Sequence, residues 1–375
     1  MHRRATATRS GRPRRGNVHS SAGRAAARLL TTAFCLYSLP APALAQDDGR
    51  PVLSHGLSYM TGFGPKNYAV VSLLWGTIIL SLVVVTIVGV LVLSGVIWRR
   101  HYAPDGDLRS VPLRRSGSGL PFIYTGIGIT FVILVGFAVW NYWVLAAIAG
   151  PRGNVPITID ITGHQWWWEV RYLDRGDEKG FTTANEIHLP LGVPVRVILH
   201  TKDVIHSFWV PALTGKMDTI PGQNNTTWLQ ADRAGIYRGQ CTEYCGQQHA
   251  HMGFIVTAES KQDFDAWWRK QVAGPNPAHS PVPIPLAEQG ERVFMQRCAV
   301  CHTVRGTMAQ GKVGPDLSHL MDRKTIAAAT VPNTPGYLSG WISDPQQLKP
   351  GNLMPTLTLS AQELTAVRSF LQTLQ

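Results

Sequence analysis

The sequence predicts a multidomain chain of 375 residues: a two-helix transmembrane hairpin, then a small all-β domain, then a small all-α domain. Three observations carry this prediction. Two long runs near the N-terminus hold no charged side chain. From Val155 to Glu259, short runs alternate apolar and polar residues, the period-2 pattern of half-buried strands. A proline-rich stretch then gives way to helical periodicity that lasts to the C-terminus.

Residues 1–45 read as a secretory signal. Eight arginines between Arg3 and Arg28, with no acidic residue, lead into "AAARLLTTAFCLYSLPAPALA", which ends on the small residues Ala43 and Ala45. An uncleaved anchor is the alternative. Residues 46–150 contain the hairpin, with spans at about 67–98 and 120–149, each longer than the roughly 20 residues a bilayer requires. Between them, Arg99–Ser118 carries five arginines against Asp105 and Asp107, which places that loop in the cytoplasm. Both flanks then lie outside, in agreement with the signal. The soluble domains are then expected on the outer side of the membrane, opposite that loop.

The formal charge of +12 is concentrated in the leader and this loop. The soluble part is near neutral, so a nucleic-acid partner is not expected. Residues 151–272 form the β domain, a Greek-key sandwich or barrel that ends in an amphipathic helix, Ser260–Val272, with Ser260 as N-cap. Residues 273–285 include five prolines and read as a semi-rigid spacer. Residues 286–375 begin and end with amphipathic helices.

Cys35 falls in the leader, and the other four cysteines form two close pairs. In "CAVCH", Cys298 and Cys301 can add to the two vinyl groups of a haem, and His302 can reach its iron. With "GPDLSHL" and "GNLMP" downstream, this region resembles a class I cytochrome c. That resemblance implies Met354 as sixth iron ligand, with Met295, Met308 and Met321 as competitors.

The second pair lies in "CTEYCGQQHAHM". A structural zinc site has no use for a thioether, and a dithiol redox pair has Cys-x-x-Cys, whereas the spacing here is Cys-x-x-x-Cys. Soft thiolates, imidazole and a weak methionine together select copper. Cys241, Cys245, His249 and Met252 come from this one loop, and "DVIHSFWVP" adds His206 from upstream.

These segments, with "DTIPGQ" and "GHQWWWE", look like subunit II of the haem–copper cytochrome c oxidases over about Tyr59–Val272, followed by the cytochrome c fused to some bacterial versions. The resemblance implies a cupredoxin-like β domain with a dinuclear CuA centre on His206, Cys241, Cys245, His249 and Met252. Glu243 would add its backbone carbonyl, and its side chain would help hold magnesium. Trp166 would be the point of electron entry; if 166–168 lie on a strand, Trp166 and Trp168 share one face and Trp167 takes the other. His164, His188, His200 and His251 are read as ordinary polar positions.

The implied function is electron transfer in a respiratory oxidase. An external donor, such as cytochrome c or a quinol–cytochrome c reductase, would reduce haem c. Electrons would pass to CuA and then to subunit I, which reduces oxygen to water and pumps protons; subunit III is a further expected partner. A copper-containing nitric oxide reductase subunit, or a membrane-anchored relay without a catalytic partner, are the alternatives. One departure bears on them. Many family members place a glutamate near the start of the second span, but Ser116–Val135 has no ionisable carboxylate, and Asp105 and Asp107 are the nearest candidates.

Overall fold

The computed structural model describes residues 56–102, 119–151, 153–276 and 282–375. The leader at 1–45, Asp105 and Asp107, and part of the proline-rich spacer lie outside the described residues.

In hydrocarbon an uncharged run of this length satisfies its backbone as a helix. The two runs form α1 (Pro65–Tyr102) and α2 (Leu120–Ile148), both long and apolar enough to cross a membrane. Their ends are fixed to the β domain. Lys66 Nζ donates to Thr227 Oγ1 and Asn67 Nδ2 to Pro211 O, both at 2.5 Å. Trp228 Nε1 donates to Ile148 O at 3.0 Å.

Ten strands follow: β1 (Ile157–His164), β2 (Trp167–Tyr172), β3 (Phe181–Ala184), β4 (Glu186–Pro190), β5 (Val195–Thr201), β6 (His206–Trp209), β7 (Met217–Thr219), β8 (Asn225–Leu229), β9 (Gly235–Cys241) and β10 (Gly253–Glu259). They form two five-stranded sheets, ordered β3-β2-β1-β5-β8 and β4-β10-β9-β6-β7, which makes a cupredoxin-like sandwich. The alternation read from the sequence fills the space between the sheets. Ile157, Ile159 and Ile161 of β1 and Val195, Val197 and Leu199 of β5 are buried, each contributing about 1.5–3 kcal/mol. Trp168 meets Phe208 and Phe254 edge-on at 5.9 and 5.7 Å.

The run Val155–Leu173 is not one strand. It turns at Gln165–Trp166, and β1 and β2 pair antiparallel from His164 opposite Trp167. No glycine, proline or asparagine marks this turn. The burial alternation survives it, since Trp166 and Trp168 are buried and Trp167 is half-buried. After the sandwich, α3 (Lys261–Ala273) starts where expected, with Ser260 Oγ accepting the Asp263 N–H at 3.1 Å.

The all-α domain contains α4 (Ile284–Arg297), α5 (Pro335–Ser343), α6 (Pro345–Leu348) and α7 (Ala361–Leu371). Ser360 and Glu363 form a capping box at the start of α7. Helices α4 and α7 cross closely because residue 290 is glycine: a Cβ there would lie 1.9 Å from Ala366 O. Phe294 and Phe370 then meet at 5.3 Å between ring centroids.

Candidate metal and haem sites

The sandwich gathers the candidate copper ligands at one end. His206 opens β6, Cys241 closes β9, and the loop from Cys241 to Met252 leads into β10. His206, Cys241, Cys245 and Met252 are all buried. The two sulfurs, Cys241 Sγ and Cys245 Sγ, lie 3.8 Å apart. His206 Nδ1 is 3.9 Å from Cys241 Sγ, and His249 Nδ1 is 3.6 Å from Cys245 Sγ. Met252 Sδ approaches Cys245 Sγ at 3.8 Å, and Glu243 O approaches Cys241 Sγ at 3.3 Å. Two central sulfurs, with an imidazole and a weak ligand available at each end, fit a pair of soft metal ions sharing both thiolates.

Proton positions suit that role. The hydrogen bond from Cys245 holds the first thiolate, on Cys241, well below the usual thiol range, and the same bond makes the second proton harder to remove. His206 Nε2 lies 2.8 Å from Asp203 Oδ1. A carboxylate can only accept, so Nε2 carries a proton and Nδ1 is the ring nitrogen that faces Cys241 and would bind a metal. Asp203 was legible only as part of "DVIHSFWVP"; its position three residues before the ligand was the available signal. Glu243 is exposed. Among the described residues, His206, Cys241 and Cys245 are the one group of three His, Cys, Asp or Glu side chains close enough to share an ion.

The second site is a largely apolar cavity of about 380 Å³, reached by Cys298, Cys301, His302 and Met354. The turn that continues α4 presents both cysteines, with the Cys301 and His302 N–H groups donating to Cys298 O at 3.0 Å. Cys241, Cys245, Cys298 and Cys301 are all free of disulfides. Burial pushes the Cys298 thiol up to about 11 and holds the His302 imidazole below its ordinary range, hence neutral. His302 Nδ1 lies 2.8 Å from Pro315 O, so it donates there and Nε2 is left as a ligand. Gly314 leaves room for that ring, since a Cβ would lie 2.7 Å from His302 Cε1. These residues fit a covalently held haem with an imidazole ligand.

Met354 lines the cavity on a loop held by its own N–H to Asn352 Oδ1 at 2.8 Å and its O to Gln346 Nε2 at 2.7 Å. Met308 is 84% exposed, whereas Met295 and Met321 pack into the helical core.

Trp166 touches both sites. Its Nε1 donates to Cys245 O at 2.9 Å, beside Gln165 Nε2 on the same oxygen at 2.7 Å, and its ring borders the cavity. The remaining histidines have local partners. His164 stacks on Trp167 at 4.3 Å, His188 on Trp267 at 4.1 Å, His200 pairs with Asp160, and His251 binds Gln248. Lys349, which the sequence reading passed over, donates to Trp166 O at 2.8 Å.

Fold and sites together define a chain that joins two membrane-length apolar helices to a cupredoxin-like domain with a His/Cys/Cys cluster and to a helical domain of cytochrome c type. Residues 170–259 match the cytochrome c oxidase subunit II periplasmic domain family, and residues 287–375 match the cytochrome c family. The cytochrome c oxidase subunit 2 of Alkalihalophilus pseudofirmus is 33% identical over 327 residues, which span 85% of this chain and 92% of that one. That of Bacillus sp. strain PS3 is 31% identical over 287 residues, 72% of this chain and 78% of its own. A crystal structure of the periplasmic domain of cytochrome oxidase subunit II from Bradyrhizobium japonicum is 33% identical and covers 32% of this chain and 95% of its own, with a TM-score of 0.30. The chain belongs to the cytochrome c oxidase subunit II family, in a form with a C-terminal cytochrome c domain.

Proposed function

We propose that this chain is the electron-entry subunit of a respiratory cytochrome c oxidase, accepting electrons at its own haem and delivering them through its copper site to subunit I. Bound at the two sites, haem c and a dinuclear copper centre supply one-electron redox chemistry. His206, Cys241, Cys245, His249, Met252 and the Glu243 carbonyl would hold the copper pair. Cys298 and Cys301 would tether the haem, with His302 and Met354 on its iron.

The observation that most supports this reading is Trp166, whose ring borders the haem cavity while its indole N–H holds the Cys245 carbonyl. The chain's other contribution is rigidity. Asp203 and Pro315 O orient the two imidazoles, and buried ligands on strand ends limit rearrangement between redox states. Adjoining the candidate ligands in sequence, Val204 and Ile205 before His206 and Tyr244 after Glu243 are exposed. This apolar rim suits a docking face for subunit I, where oxygen would be reduced and protons pumped. The domains would lie outside a bacterial inner membrane after loss of residues 1–45, with subunit III and a soluble cytochrome c or a quinol–cytochrome c reductase as further partners.

Rapid mixing of the purified complex with reduced cytochrome c tests the order. The haem should be reduced first and the copper second, and Trp166→Phe should slow only the second step. Copper reduction at the normal rate in a haem-free Cys298→Ala chain would refute the haem's place in the route. Turnover with nitric oxide but not oxygen would assign the chain to a reductase instead.

A further inference from the structure

A proline-rich tether would by itself only raise the local concentration of the haem domain near the copper site. The contacts between the domains are more specific than that. Lys349, just after α6, is 3% exposed. Its Nζ donates to two sandwich carbonyls, Trp166 O at 2.8 Å and His251 O at 2.9 Å, and to Ala327 O of its own domain at 3.3 Å. A second charge reaches the other way. Glu186, the first residue of β4, is 4% exposed, and its Oε1 accepts the Lys324 and Thr325 N–H groups at 2.7 and 3.1 Å. Burying charge is tolerated where partners replace the lost water. Burial pulls the Lys349 pKa down to about 7, with the Cys245 thiol working in the opposite direction.

The backbone between these contacts gives an independent observation. Ala327, Ala328 and Ala329 have φ of 54°, 58° and 56°, left-handed geometry that is unfavourable for any residue with a Cβ. Such geometry persists where the surroundings over-determine it. Here the turn aims three successive carbonyls at interface donors. Ala327 O accepts from Lys349, Ala328 O from the Gly253 N–H at 3.1 Å, and Ala329 O from Arg238 Nη1 at 3.1 Å. At the margins, Gln248 Nε2 donates to Pro350 O at 2.9 Å and Lys270 pairs with Asp322 at 2.7 Å.

We infer that Lys349 and Glu186 lock the haem domain in one pose on the Trp166 face, so that Lys349 is a positioning residue for haem-to-copper transfer and that face is closed to external donors. The inference rests on the proposed reading of the two sites. Trp166 is 8% exposed beneath this contact, so a soluble donor meets the haem domain and not the copper ligands. With both groups bound, each transfer would take one electron from the reduced haem, oxidising it, and add that electron to the copper pair.

Two measurements on the full chain with both centres loaded test this. Photoreduction of the haem gives the intrachain rate, and cleavage at a protease site inserted within 273–285 asks whether the haem domain stays bound. In wild type, transfer should be fast and the cut domain should remain attached. Lys349→Met should slow transfer at least tenfold and release the cut domain, with haem potential and copper spectrum unchanged, while Lys349→Arg restores part of both. Glu186→Gln serves as the second variant should Lys349→Met lose its haem. Unchanged rate with a retained domain in both variants would overturn the lock. A wild-type chain lacking a two-copper spectrum would overturn the copper reading instead, and the cleavage result would still decide the lock.

Discussion

Replacing Asp203 by alanine isolates what orients His206, the proposed remote copper ligand. The carboxylate accepts from His206 Nε2 at 2.8 Å and thereby fixes Nδ1 as the ring nitrogen facing Cys241. A hydrogen bond to a charged group contributes about 1.5–3 kcal/mol. The Asp203 side chain is 27% exposed, so solvent screening favours the lower part of that range, about 1.5–2 kcal/mol. At about 1.4 kcal/mol per tenfold, copper should bind about 10–30-fold more weakly, within the range seen for partners behind metal ligands. Asp203→Asn keeps an acceptor for the ring and should cost only about half as much free energy. The assay is competition with a copper chelator on the full-length protein. Wild-type affinity in Asp203→Ala would refute the reasoning. If Asp203→Asn were as damaging as Asp203→Ala, the Gln165 and Val204 N–H groups, each 2.7 Å from this carboxylate, would be the contacts that matter.

Three further outcomes are expected. Gly290→Ala must open the α4–α7 crossing against a backbone oxygen and should destabilise the haem domain by about 1–3 kcal/mol, read by thermal denaturation. Met354→Ala should remove the sulfur ligand and lower the haem potential in a redox titration, while Met308→Ala, on an exposed side chain, should leave both unchanged. Burial would raise the Asp322 pKa, but the His319 ring at 3.5 Å and the Lys270 ammonium at 2.7 Å hold it below the ordinary range. A depressed carboxylate stabilises the fold above its unfolded pKa and loses that contribution as pH falls through the folded value. The melting-temperature advantage of wild type over Asp322→Asn should thus be present at neutral pH and vanish in acid below the ordinary carboxylate range.

What the sequence disclosed follows from how local each signal is. The spans were legible because an uncharged run is a property of consecutive residues. The sandwich was legible because Ile157, Ile159 and Ile161 alternate as a half-buried strand must. Four of the proposed copper ligands share one loop, and the proposed haem cysteines adjoin their histidine, so spacing alone grouped them. Glu186 and Lys349 were not found, since each acts on a group brought to it by folding, whereas Asp203 was marked only by its place three residues before His206. Lys349 meets Trp166 across 183 residues, and Glu186 meets Lys324 across 138. The left-handed turn was hidden for a different reason: glycine or asparagine would have marked it, and three alanines do not.

The central claim is that one chain carries a two-copper centre fed by its own haem. Metal analysis of the purified oxidised complex, together with quantitative electron paramagnetic resonance, tests it most directly. The account expects two coppers per covalent haem in this chain, with one unpaired spin shared equally between them, and loss of that shared spin in Cys245→Ser. One zinc per chain, or a single copper carrying the whole spin, would contradict it.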